Sequence, residues 1–323
     1  MEKEFELLIT EVLRQKATDL HFKSKFKPLI EMRKKGEIVP LKELALESYQ
    51  KLMAYLIYRA NIDLNHHLQP QTGAFSLKNH YFRLSYLPSQ HDVHLVLRLL
   101  NHHQKITFAN LGEDKATKSQ LAKLLKKDNG LIVVCGPTGS GKSTTLHAFL
   151  DEIAKTDKKS LMTIEDPIEI YHEGIVQIQV NEQNQLDFAT ILNQVLRHDP
   201  DVVMIGEIRD ERSAGIALRL ALTGHLILTT LHTYSAKGAL IRLENLGLNL
   251  DDLKEILKGI IFQRLVYSKE QSDPHVFFEI AASQDLKTLL ESGKVTYPLM
   301  SEVLNNSITQ GVVTYEEVEA YLD

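Results

Sequence analysis

The sequence predicts an α/β chain in two parts: a smaller N-terminal α+β region, then a larger region built on a parallel sheet covered by helices on both faces. Two observations carry this. From about Ser119 onward, short apolar runs (LIVVC, LMTI, DVVMIGE and HLILTTLH) alternate with helical segments, the pattern of strands buried on both faces. Before residue 105 the strands instead follow one another closely across tight turns, as in a small helix-flanked sheet, mixed or antiparallel. A length of 323 residues fits two domains.

Taken in order, Phe5, Leu8, Ile9, Val12 and Leu13 recur at helical spacing and predict an opening amphipathic helix. Leu20 and Phe22 alternate in DLHFK, PLIEMR reads as a second strand, and Lys35-Gly36 turns the chain before EIVPL. A helix from about Ser48 to Ala60 carries Leu52, Tyr55 and Leu56 on one side, and GAFSL, YFRLSYL and VHLVLRLL read as three further strands. These elements define an N-terminal domain, 1–104, followed by a polar linker, 105–115. The parallel-sheet domain covers 116–267, with a lysine-rich helix near its start. Beyond Tyr267 the pattern weakens: SKEQSDPH reads as a loop, and 268–323 as a C-terminal helical region of three short helices. No internal repeat or low-complexity tract is visible.

Composition narrows the function classes. Hydrophobic residues make up 43% and charged residues 24%, ordinary for a globular protein. The formal charge of −5 and the absence of tryptophan argue against a basic, aromatic-lined nucleic-acid channel. The single cysteine, Cys135, excludes an intrachain disulfide and a cysteine-rich zinc site, and suits a reducing compartment. MEKEFELLIT lacks the features of a secretory signal, and no apolar run approaches the ~18 residues of a spanning helix. The expected location is cytoplasmic, with any membrane contact made through a partner.

The strongest local signal is GPTGSGKS, Gly136 to Ser143, which satisfies G-x-x-x-x-G-K-[ST] between a buried strand and a helix. Gly136, Gly139 and Gly141 allow the backbone of Thr138 and Ser140 to wrap a phosphate chain with its N–H groups inward. Lys142 can reach the β/γ-phosphates, Ser143 offers a hydroxyl to Mg²⁺, and the helix that includes Thr144 points its positive end at the anion. ATP and Mg²⁺ are the cofactors this loop implies. GTP is disfavoured, because the base-reading [NT]-K-x-D has only a near miss, Ala154 to Asp157, too early after the loop.

Carboxylates downstream supply candidate chemistry. Glu207 follows the apolar strand VVMIG, where a group holding Mg²⁺ or its water sits in an open α/β sheet. Glu165, Asp166 and Glu169 in TIEDPIE follow LMTI as an acidic cluster at the same edge, able to orient or deprotonate water; alone, such a turn equally reads as a helix cap. His232 ends the strand LILTTLH. Its position raises it above an ordinary structural histidine.

TIEDPIE, RHDPDVVMIGEIRDERSA, TGHLILTTLHTYSA and QRLV, in this order after GPTGSGKSTT, resemble the Asp box, Walker B, His box and C-terminal signature of the secretion ATPase superfamily of type II secretion and type IV pili. TDLHF, Thr18 to Phe22, resembles that family's S-D-[IL]-H motif, so the likeness spans nearly the whole chain. It implies a RecA-like P-loop ATPase domain behind a smaller PAS-like α+β domain. It also implies that Glu169 is the catalytic glutamate, Glu207 the Walker B glutamate and His232 the His-box histidine. A homo-hexamer working on a polytopic membrane platform protein at the inner face of the cell membrane follows from the resemblance alone.

Arg83 and Arg98 lie on two strands joined by PSQHD, and a symmetric hairpin sets them directly opposite one another. Like charges so placed repel, so the pair calls for an anion. The family reading makes them charge-stabilising residues at the ATP phosphates, from the same or a neighbouring subunit; the alternative is carboxylates of the N-terminal domain. Arg197 and Arg209 flank the Walker B strand, and could face a neighbour or pair with Asp199, Asp201 or Asp210. The pairs His66-His67 and His102-His103 read as solvent-exposed rather than metal-binding, because adjacent residues diverge. Cys135 reads as a small core residue.

Within the family, the zinc-binding tetracysteine insertion after QRL is absent, the D-L-H segment begins by residue 19 where assembly ATPases of Gram-negative systems carry a further N-terminal docking domain, and EIAASQDLKTLLESG does not match the A-I-R-N-L-I-R-E segment of retraction ATPases. The resemblance therefore points to the assembly ATPase of a Gram-positive competence pilus used in DNA uptake, without direct DNA contact. Pilus retraction or type II secretion is the alternative. A RecA-type nucleic-acid translocase is the competitor from another class.

Overall fold

The computed structural model describes all residues except 1, 16, 24–27, 35–36, 79, 91, 101–105, 113, 157, 167, 169, 181–187, 269–273 and 323. It forms two compact units, Met1–Lys105 and Ile106–Asp323.

The first unit runs α1 (Glu2–Arg14), β1 (Asp19–Phe22), β2 (Leu29–Lys34), β3 (Glu37–Glu43), α2 (Leu46–Arg59), β4 (Gln71–Leu77), β5 (His80–Pro88) and β6 (Val93–Leu100). Its six strands are ordered β3-β2-β1-β6-β5-β4, and every pairing is antiparallel. Phe5, Ile9 and Val12 of α1 and Tyr49, Leu52 and Leu56 of α2 bury against Leu20, Phe22, Phe82, Leu84, Leu95 and Leu97. Those strand residues alternate along the chain, so one face of the sheet makes the core. Asp19, Arg83 and Arg98 fall on the other face, and Pro40 sits on edge strand β3, where its missing N–H is tolerated.

The second unit runs α3 (Lys115–Leu125), β7 (Gly130–Cys135), α4 (Lys142–Thr156), β8 (Leu161–Glu165), β9 (Val176–Gln179), α5 (Phe188–Val195), β10 (Val202–Ile205), α6 (Glu211–Leu222), β11 (Leu226–Leu231), α7 (Ala236–Asn245), α8 (Leu250–Ile256), β12 (Leu257–Val266), β13 (His275–Ala282), α9 (Ser283–Ser292), α10 (Met300–Thr309) and α11 (Tyr315–Val318). Its seven strands are ordered β13-β12-β7-β11-β10-β8-β9, parallel except for the antiparallel β12–β13 pair. Helices cover both faces. Leu121, Leu146 and Phe149 pack on one side, while Ala217, Leu220, Leu240 and Leu243 pack on the other.

Two expectations need correction. The region 268–323, read as helical, opens with strand β13, whose residues His275 to Ala281 are buried on both faces. VFFEIAA therefore shows no alternation, and a short continuous apolar run does not separate strand from helix by periodicity. The middle of the stretch read as linker also packs: Phe108 lies against Phe149 at a ring distance of 6.1 Å, and Leu111 is buried in the second unit.

Candidate active site

Four neighbouring parallel strands, β7, β11, β10 and β8, end together. Cys135 pairs with Leu231, so Gly136 and His232 emerge side by side, and the ends of β10 and β8 bring Glu207 and Asp166 to the same edge. Ligands of open α/β sheets bind at this carboxyl edge.

Gly136, Gly139 and Gly141 have φ of 156°, 80° and 81°, and a Cβ on Gly136 would lie 2.6 Å from the Gln263 carbonyl oxygen and 2.6 Å from Ser140 Oγ. Glycine is thus required there for conformation and for space. The Gln263 amide donates to the Ser140 carbonyl at 2.5 Å and braces the loop from β12. Lys142, buried at the first residue of α4, donates to the Gly136 and Pro137 carbonyls at 3.0 Å each. Ser140 Oγ is buried without a hydrogen-bond partner. A cradle of this kind, with a buried ammonium and a helix N-terminus, fits a polyphosphate anion.

From Lys142 a chain of charged contacts crosses the strand ends. Lys142 Nζ lies 3.4 Å from His232 Nδ1, and His232 Nε2 lies 3.3 Å from Glu207 Oε1. A lysine that donates to Nδ1 requires the Nε2–H tautomer, which directs the remaining proton at Glu207. Glu207 Oε2 accepts from Arg209 Nε at 2.7 Å, and Arg209 reaches Asp166 at 3.7 Å. The Glu207 hydrogen bond raises the Arg209 guanidinium above its ordinary value. Arg209 thus pairs with Glu207 and Asp166, while Asp210 caps α6 by accepting from Ser213 N–H. Asp201 accepts from Ser160 N–H, and Arg197 is exposed.

Glu165 departs from expectation. It is the last residue of β8, buried, and accepts from the Thr163 hydroxyl at 2.6 Å, so it is not part of a water-facing cluster with Asp166. Glu169 lies outside the described residues, as do His102 and His103. His66 is exposed and bonded to Asp63 at 2.8 Å. Cys135 is fully buried, and burial pushes its thiol up to about 12.

In the first unit, Arg83 and Arg98 are directly paired across β5 and β6, as the hairpin symmetry predicts. Asp19 pairs with Arg98 on one side and Arg33 on the other, so a row of Arg33, Asp19, Arg98 and Arg83 crosses four strands. Asp19 Oδ1 accepts from Arg98 Nε at 2.7 Å. Burial raises the Asp19 carboxyl, but the Thr18 hydroxyl and Arg98 outweigh it and hold it below its ordinary value. The carboxylate that relieves Arg98 therefore comes from the DLHF strand, a partner the hairpin alone does not reveal.

The loop, the strand order and the carboxyl-edge charges define a P-loop α/β unit, which follows an antiparallel α+β unit in the sequence. The Type II/IV secretion system protein family matches residues 1–310, and the chain belongs to that family. It is 41% identical over 269 residues to the type II secretion system protein E of Pectobacterium carotovorum subsp. carotovorum, covering 80% of this chain and 53% of that one. It is 35% identical over 271 residues to competence protein ComGA of Bacillus subtilis (strain 168), covering 82% and 76%. The chain thus spans about half the length of its type II secretion relatives and three quarters of the competence protein. Among solved structures, the pilus retraction motor PilT with bound ADP superimposes with a TM-score of 0.83 at 31% identity, covering 98% of this chain and 96% of that one. Among the described residues no helix is long and apolar enough to cross a membrane.

Proposed function

We propose that this chain is an ATPase that drives assembly of a competence type IV pilus for DNA uptake. The observation that carries the catalytic reading is the convergence of the phosphate loop, His232 and Glu207 at adjoining strand ends, linked through Lys142. Lys142 and the loop amides hold the phosphates, His232 keeps Lys142 and Glu207 in register, and Glu169 takes a proton from the attacking water as the bond from the γ-phosphorus to its bridging oxygen breaks. Ser143 and Glu207 are hard oxygen donors suited to Mg²⁺, which when bound neutralises charge on the phosphate oxygens. Arg83 and Arg98 stabilise that charge from the same or a neighbouring subunit. For Arg98 this requires release from Asp19.

The system-level reading rests on the family resemblance: a homo-hexamer, cytoplasmic and peripheral at the inner face of the membrane, acting on a polytopic platform protein without contacting DNA itself. Pilus retraction is the second reading, favoured by the likeness to the retraction motor. The test is the ATPase rate and solution mass of the wild type beside Glu169→Gln and Arg83→Ala, with and without single-stranded DNA. The expected result is hexamer-dependent hydrolysis indifferent to DNA and reduced by ~10²–10⁴ in Glu169→Gln. Strong DNA stimulation, or full activity without Glu169, overturns the reading in favour of a translocase. Which way the motor runs is decided by whether deleting the gene abolishes pili or leaves them unable to retract.

A further inference from the structure

Ser143, His147 and Asp151 lie four residues apart on α4 and therefore share one helix face. Ser143 belongs to the phosphate loop, while His147 and Asp151 both lead to His172. His147 Nδ1 is 2.7 Å from His172 Nε2, and His172 Nδ1 is 2.7 Å from Asp151 Oδ1. At the other end His147 Nε2 faces Glu165 Oε2 at 3.4 Å, an ion-pair distance rather than a well-formed hydrogen bond. The side chains of His147, His172, Glu165 and Asp151 are only 3, 4, 5 and 12% exposed.

Counting protons constrains this chain of four groups. Three gaps separate them, and each needs one proton to be a hydrogen bond. Two neutral imidazoles supply two. If His172 donates to Asp151 and His147 donates to His172, then His147 Nε2 is an acceptor facing a carboxylate, which is unfavourable in a buried site. A third proton fills that gap and leaves one net negative charge over the four groups. The 2.7 Å between imidazole nitrogens leaves no room for a metal ion between them, since each Zn–N bond alone needs about 2.0–2.1 Å. His147 meets the titratable side chains of His172 at 2.7 Å and Glu165 at 3.4 Å, and Asp151 meets His172 at 2.7 Å.

The far end of the relay reaches the acidic turn. The Gln177 amide donates to Glu165 Oε1 at 3.2 Å and to the Ile170 carbonyl at 2.8 Å, and Gln177 Oε1 accepts from the His172 backbone N–H at 2.7 Å. The chain leaving that turn is thereby tied to the same four groups. Burial raises the Glu165 carboxyl, but the His147 contact, with Thr163 and Gln177, outweighs it and leaves it below its ordinary value.

We propose that Asp151, His172, His147 and Glu165 form a buried relay carrying three protons, one more than two neutral imidazoles supply, and that His147 and His172 act as positioning residues fixing the acidic turn after β8 to the phosphate-loop helix. The proton count stands by itself; the effect on turnover rests on the hydrolysis reading above. When the third proton is lost as pH rises, two acceptors oppose each other between α4 and β8. The turn then loosens, and kcat falls while KM for ATP, set at the loop, does not change.

Two measurements test this on the full chain. Nitrogen-15 spectra of the histidine rings without nucleotide, from about pH 5.5 to 9, are expected to show three ring N–H groups shared by His147 and His172 at the acid end and two at the alkaline end. Two N–H groups throughout overturn the relay. In kinetics, His147→Leu is expected to lower kcat about tenfold with KM for ATP within about twofold. His147→Gln, which can still donate to Glu165 but cannot titrate, is expected to restore most of kcat and to lack the alkaline fall of the wild type. Wild-type kcat and pH profile in both variants overturn the positioning role. If the wild type hydrolyses no ATP, the hydrolysis reading fails, and the spectra alone decide the relay.

Discussion

Two chains of charged side chains leave the same helix, and they differ in what water can do for them. The one from Lys142 through His232, Glu207 and Arg209 to Asp166 starts buried and opens to solvent: Arg209 is 62% exposed and Asp166 56%. The one from Asp151 through His172 and His147 to Glu165 is almost sealed. Exposed pairs contribute about 0–1 kcal/mol, whereas an unpaired group in a buried network costs several times that. The open chain is thus poorly explained by stability and well explained by chemistry at an anion site. In the sealed chain, each gap left without a proton carries that larger cost.

The largest expected effect separates these roles. Glu207→Gln keeps shape and one acceptor but removes the charge, so ATP hydrolysis is expected to fall by ~10²–10⁴ with the thermal midpoint nearly unchanged. Steady-state rates beside a melting curve check this, and a large drop in the midpoint would place Glu207 among the structural charges instead. Next comes Gly136→Ala. The added methyl meets the Gln263 carbonyl, which belongs to the backbone of β12 and cannot swing away. A cost of about 1–3 kcal/mol is expected, read as weaker binding of an ATP analogue by roughly tenfold or more. Unchanged binding would mean that the loop adopts another conformation when occupied.

The same contrast explains what was legible in the sequence. The phosphate loop is one contiguous segment whose residues need only a strand before and a helix after, so its site is readable without a fold. Arg83 and Arg98 were readable because a tight hairpin sets its own register. Asp19, their neighbour in the row, required knowing that β1 inserts beside β6, some 79 residues away. Gln263 lies within a recognised signature, yet its hold on Ser140 depends on β12 docking beside β7. His147 carried no signal beyond helical spacing from Ser143, and His172, in the connection between β8 and β9, carried none. Strand β13 was lost because burial on both faces erased its period.

Asp19 is buried while Arg98 is half exposed, so Asp19→Asn removes a charge from the costly side of the pair only. The expected loss is about 1–2 kcal/mol at neutral pH, read from the denaturation midpoint of the full chain. Because the folded carboxyl lies below its ordinary value, this contribution is complete above about pH 4 and disappears as pH falls through the lowered value. The gap between wild type and variant should therefore be flat from about pH 5 to 7 and narrow below about pH 4. A gap that widens in acid would mean that Asp19 is not the ionised partner of Arg98.

The smallest effect on stability, and the sharpest test of the open chain, is Arg209→Ala. Its guanidinium is bonded to Glu207 and near Asp166, yet most of it faces solvent. Stability is expected to change by about 0–1 kcal/mol and to do so less at high salt. Glu207, however, loses the donor on Oε2 and, among the described residues, keeps His232 at 3.3 Å, so its carboxylate is free to rotate away from the loop. A fall in hydrolysis without a fall in the melting midpoint is the expected outcome. If the midpoint falls and hydrolysis does not, Arg209 is a strut between β10 and the turn after β8, and the open chain ends at Glu207.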